Sequence, residues 1–423
     1  MRNFLLVAVL ACLSTLCPCQ VLLKPQDIPT ISKVLDTFHG PNSLKCDVLH
    51  EDPRLDFSFR WIVSYSANCS ASKLGPEERF VAYLRLQPRD GQPVYFVDPQ
   101  GTVNTPEGHI TAADPSLNHL KPHAIAVGEG DYSLDLLLGS TKGRMFRKQW
   151  SFKTRYHKNP QLAGLTANSA EVFKAKKWNE KLVADGPKLT ILLHATRLHQ
   201  SRQNFPIRSY DVTTDEESYW LSSLTALLTH VPHKSAEVVA FSIEHEKELF
   251  RQQNFNEEGY GQLSEILSKE EIGKTVVSGA LQSEALSKFL VSLLKQDDKT
   301  EKDAGRIMVF LGPTAWLSRV EIPKDLKEKF QTADTRLFYF QYYDPSIYGR
   351  DNLEHANAPL MLGQSPDSLP RYPKDGIWKG DKTSDSIDYL MEALGGQILR
   401  VHSAEEFQQT VEEMLERVKL SSR

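Results

Sequence analysis

The chain has 423 residues, too long for one ordinary domain, so two or three are expected. With 40% hydrophobic and 25% charged residues it is a globular protein, neither disordered nor fibrous. A formal net charge of −4 argues against a general nucleic-acid binder.

The opening, "MRNFLLVAVLACLSTLCPCQ", places Arg2 before an apolar run from Phe4 to Leu10. That run is too short to span a bilayer and has the layout of an export signal over 1–19. Cleavage after Cys19 is the first reading. The second is lipoprotein processing, with Ala11 ahead of a lipid anchor at Cys12. No later run reaches the roughly 20 apolar residues of a membrane helix, so no transmembrane segment is expected. The mature protein is expected to be secreted or to lie in the periplasm or cell envelope. Cys46 and Cys69 are the cysteines outside this leader, and an oxidising compartment makes them a natural pair. Against that, a tight hairpin near Glu51–Leu55 sets Cys46 opposite a residue near 60 and leaves two buried thiols. Both readings stand at this point. "NCS" at Asn68 fits the N-glycosylation pattern.

The first half reads as strands. "DFSFRWIVSYS" alternates, with Phe57, Phe59, Trp61, Val63 and Tyr65 on one face and Ser58, Arg60 and Ser64 on the other. "RFVAYLRLQP" and "PVYFVDP" continue the pattern between turn residues, and "GDYSLDLLLGSTKGRMFRKQWSFKTR" reads as two strands around "GSTKG". Short strands at this spacing predict an immunoglobulin-like β-sandwich over 40–157. Residues 158–187 read as a linker with a short helix.

From Lys188 strands alternate with helices. Strand Leu189–His194 comes first, then a helix over 216–231 with Trp220, Leu224, Leu227, Leu228 and Val231 on one stripe. "AEVVAFSIEHEKELFRQQNF" reads as a strand, a turn and a second strand. A helix over 279–295, the strands "GRIMVFLGP" and "TRLFYFQYY", a glycine-closed helix at "SDSIDYLMEALGG", the strand "QILRV" and a helix over 404–418 follow. Nearly all-apolar strands alternating with helices predict a parallel sheet covered on both faces over 188–420, with ligands beyond the carboxyl ends of its strands.

A strand before a loop with hydroxyl residues, "GKTVVSGAL" before a helix, and a strand ending "FLGPT" resemble the metal-site loops of von Willebrand factor type A domains. With "LDFSFRW" in the β domain, the chain resembles the secreted, acidobacterial-type von Willebrand factor type A related proteins. The resemblance implies an immunoglobulin-like β-sandwich followed by a doubly wound, Rossmann-like α/β domain, and a binding or scaffold role. Carried over residue by residue, the ion motif's first aspartate corresponds to His194, its serines to Thr196 and Leu198, its threonine to Thr275 and its second aspartate to the vicinity of Pro313. Both carboxylates are gone, and Mg²⁺ wants carboxylate and water oxygens. The resemblance therefore implies a degenerate site at His194, Thr196 and Thr275, with no metal and no cofactor.

Other chemistries find little support. His194, His199, His230, His233 and His245 lack the Cys or second His motif of a zinc site, and His230 and His233 read as a solvated helix end. Neither a G-x-S-x-G nor a phosphate-binding glycine motif is present; Thr314 follows a buried strand, but Gly312 and Pro313 build its turn. Two loops stand out. "ATRLHQSRQNFPIRSYD" brings Arg197, Arg202 and Arg208 beside Phe205 and Tyr210, and a segment of about 40 residues after "TRLFYFQ" carries Tyr342, Tyr343 and Trp378. These are interface-enriched residue types. The expectation is an exported, non-enzymatic interaction or scaffold protein, binding an unknown protein or polymer through loops at the carboxyl edge of the sheet. The alternatives are a metal-dependent adhesion module with a rearranged ion site and an enzyme of unknown type.

Overall fold

A computed structural model describes residues 21–38, 42–70, 79–102, 117–119, 123–156, 160–173, 182–195, 216–243, 246–269, 283–295, 305–313, 322–332, 335–342 and 386–420. The chain divides into two units near residue 177.

In the first unit, period-two patterns form β1 (Val21–Leu22), β2 (Cys46–His50), β3 (Arg54–Leu55), β4 (Trp61–Ser70), β5 (Arg79–Pro88), β6 (Val94–Thr102), β7 (Leu117–His119), β8 (His123–Val127), β9 (Gly130–Ser140), β10 (Met145–Thr154) and β11 (Ala170–Val172). One antiparallel sheet runs β1-β6-β5-β9-β10. The other runs β11-β8-β4-β2, with β3 and β7 also on β4. Val63, Tyr65, Ala67 and Cys69 point inward from β4 and share a core with Phe80, Ala82, Leu84 and Leu86 of β5. Asp98 of β6 is a fully buried polar residue beside that core. Tyr65 Oη donates to it at 3.1 Å and His123 Nδ1 lies 2.7 Å from it, so one buried carboxylate joins the two sheets.

The outer face of the first sheet is covered by α1 (Ile28–Thr37). Pro29 suits a helix start, and Ile31 and Leu35 stack four apart onto Val81, Tyr83 and Leu137. Burying each of those two side chains is worth about 1.5–3 kcal/mol. Residues 42–44 then latch the edge of β10. Ser43 and Leu44 N–H donate to Met145 O at 2.9 and 3.0 Å, and Asn42 Oδ1 accepts from Arg147 N at 2.9 Å.

The hairpin before β4 turns later than its pattern suggests. Asp56 Oδ1 accepts from the N–H groups of Ser58 and Arg60, both at 2.9 Å, and Phe59 takes a φ of 63°. Phe57 and Phe59 are buried from a turn rather than from a strand. With the turn at 56–60 instead of Glu51–Leu55, Cys46 pairs in register with Cys69, and the two form a disulfide.

The expected boundaries of 40–157 and 158–187 are also corrected. β1 lies before that span and β11 after it, yet both belong to the sheets of this unit. β11 pairs with β8, and Glu171 Oε1 accepts from Arg60 Nη1 at 2.7 Å.

The second unit contains β12 (Lys188–His194), α2 (Glu216–His230), β13 (Ser235–Ser242), β14 (Lys247–Gln253), α3 (Glu257–Lys269), α4 (Ser283–Lys295), β15 (Arg306–Pro313), α5 (Lys324–Thr332), β16 (Thr335–Tyr342), α6 (Ser386–Leu394), β17 (Gln397–Val401) and α7 (Ala404–Leu420). Its sheet runs β14-β13-β12-β15-β16-β17. On one face Leu192, Val239, Phe310 and Tyr339 pack with Leu290 and Leu293 of α4 and Leu390 and Met391 of α6. On the other, Phe340 meets Phe407 of α7 with ring centroids 5.2 Å apart.

The expected fold class is overturned. Among the described residues three sheets of seventeen strands stand against seven α-helices, so the chain is predominantly β. Two of the sheets are antiparallel and the third is mixed, because β14 runs antiparallel to β13. The few residues between Ser242 and Lys247 are too short for a parallel crossover and turn the chain straight back. The doubly wound von Willebrand factor type A-like and Rossmann-like descriptions are therefore corrected. Among the described residues no helix is long and apolar enough to cross a membrane.

Candidate functional site

The carboxyl ends of the parallel strands are where such a sheet presents side chains to a ligand. β12 is buried from Leu189 to His194, with β-branched and aliphatic residues along most of its length. His194 is its last residue and is 1% exposed. It stands level with Phe241 of β13, and the two rings stack with centroids 5.4 Å apart at 18°. Phe241 in turn meets Phe310 edge-on at 6.4 Å. Across β15, a Cβ on Gly312 would lie 2.6 Å from His194 Cβ, so the absent side chain is what admits the histidine. Gly312 is level with Gln341 of β16, which is fully buried and donates through Nε2 to Asp388 Oδ1 of α6 at 3.1 Å. The result is a cross-strand row of Phe241, His194, Gly312 and Gln341. Its density is that of a core, and His194 is held as a packed ring rather than offered to solvent.

One residue further along, Tyr342 faces the opposite side. It is 3% exposed and its hydroxyl donates to Ser223 Oγ of α2 at 2.6 Å. Burial pushes its phenol well above the ordinary range, so it is a neutral donor. This corrects its reading as a partner-binding residue: Tyr342 is an internal fastener. His233 is corrected too. It is fully buried, and its Nδ1 donates to Val231 O at 2.7 Å, so it is not part of a solvated helix end.

The amino ends of the same strands carry the charge. Glu237 is fully buried, 2.8 Å from Lys188 Nζ and 2.8 Å from Arg251 Nη1. Arg306 donates to Thr190 Oγ1 from Nε at 3.3 Å and Nη2 at 3.1 Å. Burial, opposed by Glu237 and reinforced by Arg251, pulls its guanidinium down to about 10. This network lies inside a sheet end away from the ligand edge and stitches β12, β13, β14 and β15 together.

Thr196, Arg197, Arg202, Arg208, Thr275, Tyr343, Trp378 and Cys12 lie outside the described residues. Among the described residues no group of three or more His, Cys, Asp or Glu side chains is placed to hold a metal ion. Of the row, Phe241 and Gln341 are not singled out by the sequence pattern, and Gly312 is read there only as a turn residue. The signal was available for Gly312, because a glycine at the end of an all-apolar strand marks a close approach.

No family model and no characterised protein matches the chain. Among solved structures it is similar to an X-ray structure described as Northeast Structural Genomics Consortium target SoR45, at 13% identity and a TM-score of 0.17. That match covers 27% of this chain and 89% of the other, and at such a score it bears on neither fold nor function.

Proposed function

We propose that the protein is an exported, non-catalytic interaction or scaffold protein that takes a protein or polymer partner through the loops at the carboxyl ends of its parallel strands. The observation that supports this reading is the packing of His194 between Phe241 and Gly312. A catalytic or ion-binding edge needs polar groups turned toward its ligand, and here the end of β12 closes on a buried ring. The sequence that follows β12 and β16 carries Arg197, Arg202, Arg208, Tyr343 and Trp378, residue types that anchor interfaces. The leader over 1–19 supports export, and Cys12 is its lipid-acceptor position if the chain is processed as a lipoprotein.

The test is calorimetric titration of Mg²⁺, Mn²⁺ and Zn²⁺ into the full chain, with His194→Ala as control. No saturable heat from any of the three is the expected result. Saturable binding that disappears in His194→Ala overturns the reading in favour of a rearranged ion site.

A further inference from the structure

β10 ends its sheet, and at ten residues it is the longest edge strand among the described residues. Its outer side is only partly covered. Met145 and Arg147 turn their backbone groups outward, where residues 42–44 satisfy them: Met145 N donates to Ser43 Oγ at 2.8 Å, and Asn42 bonds both N and O of Arg147. The period of two sends the backbone groups of Gln149, Ser151 and Lys153 to the same side. No strand of the described residues pairs with them there. Their side chains are exposed, and Trp150 and Phe152 between them are only partly buried at the rim of the core.

Charge decides what fits. Residues 144–155, "RMFRKQWSFKTR", hold five basic residues and no acidic one. Arg147 is matched by Asp135 at 2.7 Å and Arg155 by Asp131, through Nη2 and Oδ1. Lys148 and Lys153 are exposed; neither makes a close ion pair among the described residues, although Lys153 stands level with Asp131 of β9, which is itself bound by Arg155 and Arg89. Lysines on an open edge oppose pairing with a second copy, because like charges then face each other. The same lysines attract a strand bearing carboxylates.

We propose that the outer edge of β10, from Lys148 to Lys153, docks an extended acidic peptide as an added strand of this sheet. Backbone bonds to Gln149, Ser151 and Lys153 supply the pairing. Carboxylates opposite Lys148 and Lys153 set the register, and small apolar residues lie beside Trp150 and Phe152. The site belongs to the first unit and does not depend on the loops of the second, so its failure leaves the proposed function standing.

The test uses the full chain and a fluorescein-labelled peptide SEVTVTES, followed by anisotropy, with SKVTVTKS as control. Saturable binding of the acidic peptide alone is expected. Ser151→Pro removes an outward N–H without touching the β9–β10 ladder, so the variant should keep the wild-type melting temperature and lose binding. If it does not fold, Lys148→Glu/Lys153→Glu carries the test: affinity for SEVTVTES should fall roughly tenfold and that for SKVTVTKS should rise. Three results overturn the proposal. One is equal binding of both peptides, another is binding unaffected by either variant, and the third is wild-type self-association abolished by Ser151→Pro, which makes a second copy the occupant.

Discussion

His123, 14% exposed, and His194, 1% exposed, are both largely withdrawn from solvent, and by different means. His123 sits 2.7 Å from the carboxylate of Asp98, in a bridge that also takes the hydroxyl of Tyr65 and crosses between two sheets. His194 lies flat against Phe241 over the bare backbone of Gly312. The first unit therefore holds a polar hub whose members depend on one another's hydrogen bonds. The second holds a ring whose place depends on the absence of one side chain. A hub fails when one partner is deleted, whereas a packed ring fails when volume is added.

Three experiments sharpen that contrast. Asp98→Ala removes the acceptor shared by Tyr65 Oη and His123 Nδ1, so a loss of about 3–5 kcal/mol is expected in urea unfolding of the first unit. A loss below about 1 kcal/mol would show that the bridge is incidental to stability. Replacing Cys46 and Cys69 together by alanine removes a bridge between residues 23 apart, with an expected cost of about 2–4 kcal/mol. The transition of the second unit should not move, and a shift there would mean that the two units do not unfold separately. Gly312→Ala places a methyl group against His194 and should cost about 1–3 kcal/mol. In a His194→Ala background the added cost of Gly312→Ala should largely vanish, as a double-mutant cycle measures. Equal costs in both backgrounds would remove His194 as the reason for the glycine.

Local patterns were legible and distant ones were not. Val63 and Tyr65 were read inward from their period. The same period ran on through Phe57 and Phe59, which are buried from a turn, and so it displaced the hairpin. The corrective signal was Asp56, whose side chain organises the turn two and four residues ahead. The apolar pattern misses α1, α3 and α5, although the first two carry ordinary start signals: Pro29 for α1, and Asn256 with Glu257 and Glu258 for α3. The short link between β13 and β14 already implied an antiparallel edge, and reading the sheet as wholly parallel ignored it. The full row at the carboxyl ends does not follow from periodicity. His194 and Gly312 are far apart in the chain, and a period of two fixes faces without fixing which strands become neighbours.

The latch between Asn42 and Arg147 joins residues 105 apart, and that between Ser43 and Met145 residues 102 apart. A polypeptide emerging amino end first exposes Leu35 and Leu44 long before Met145 and Arg147 exist to cover them. Cys46 and Cys69 emerge well ahead of β10, so the covalent link is free to form while that side of the sheet is still missing. Between the emergence of Cys69 and that of Met145, 76 residues later, the nascent first unit can be cross-linked but open, with an apolar flank that a chaperone at a ribosome exit or translocation pore would meet.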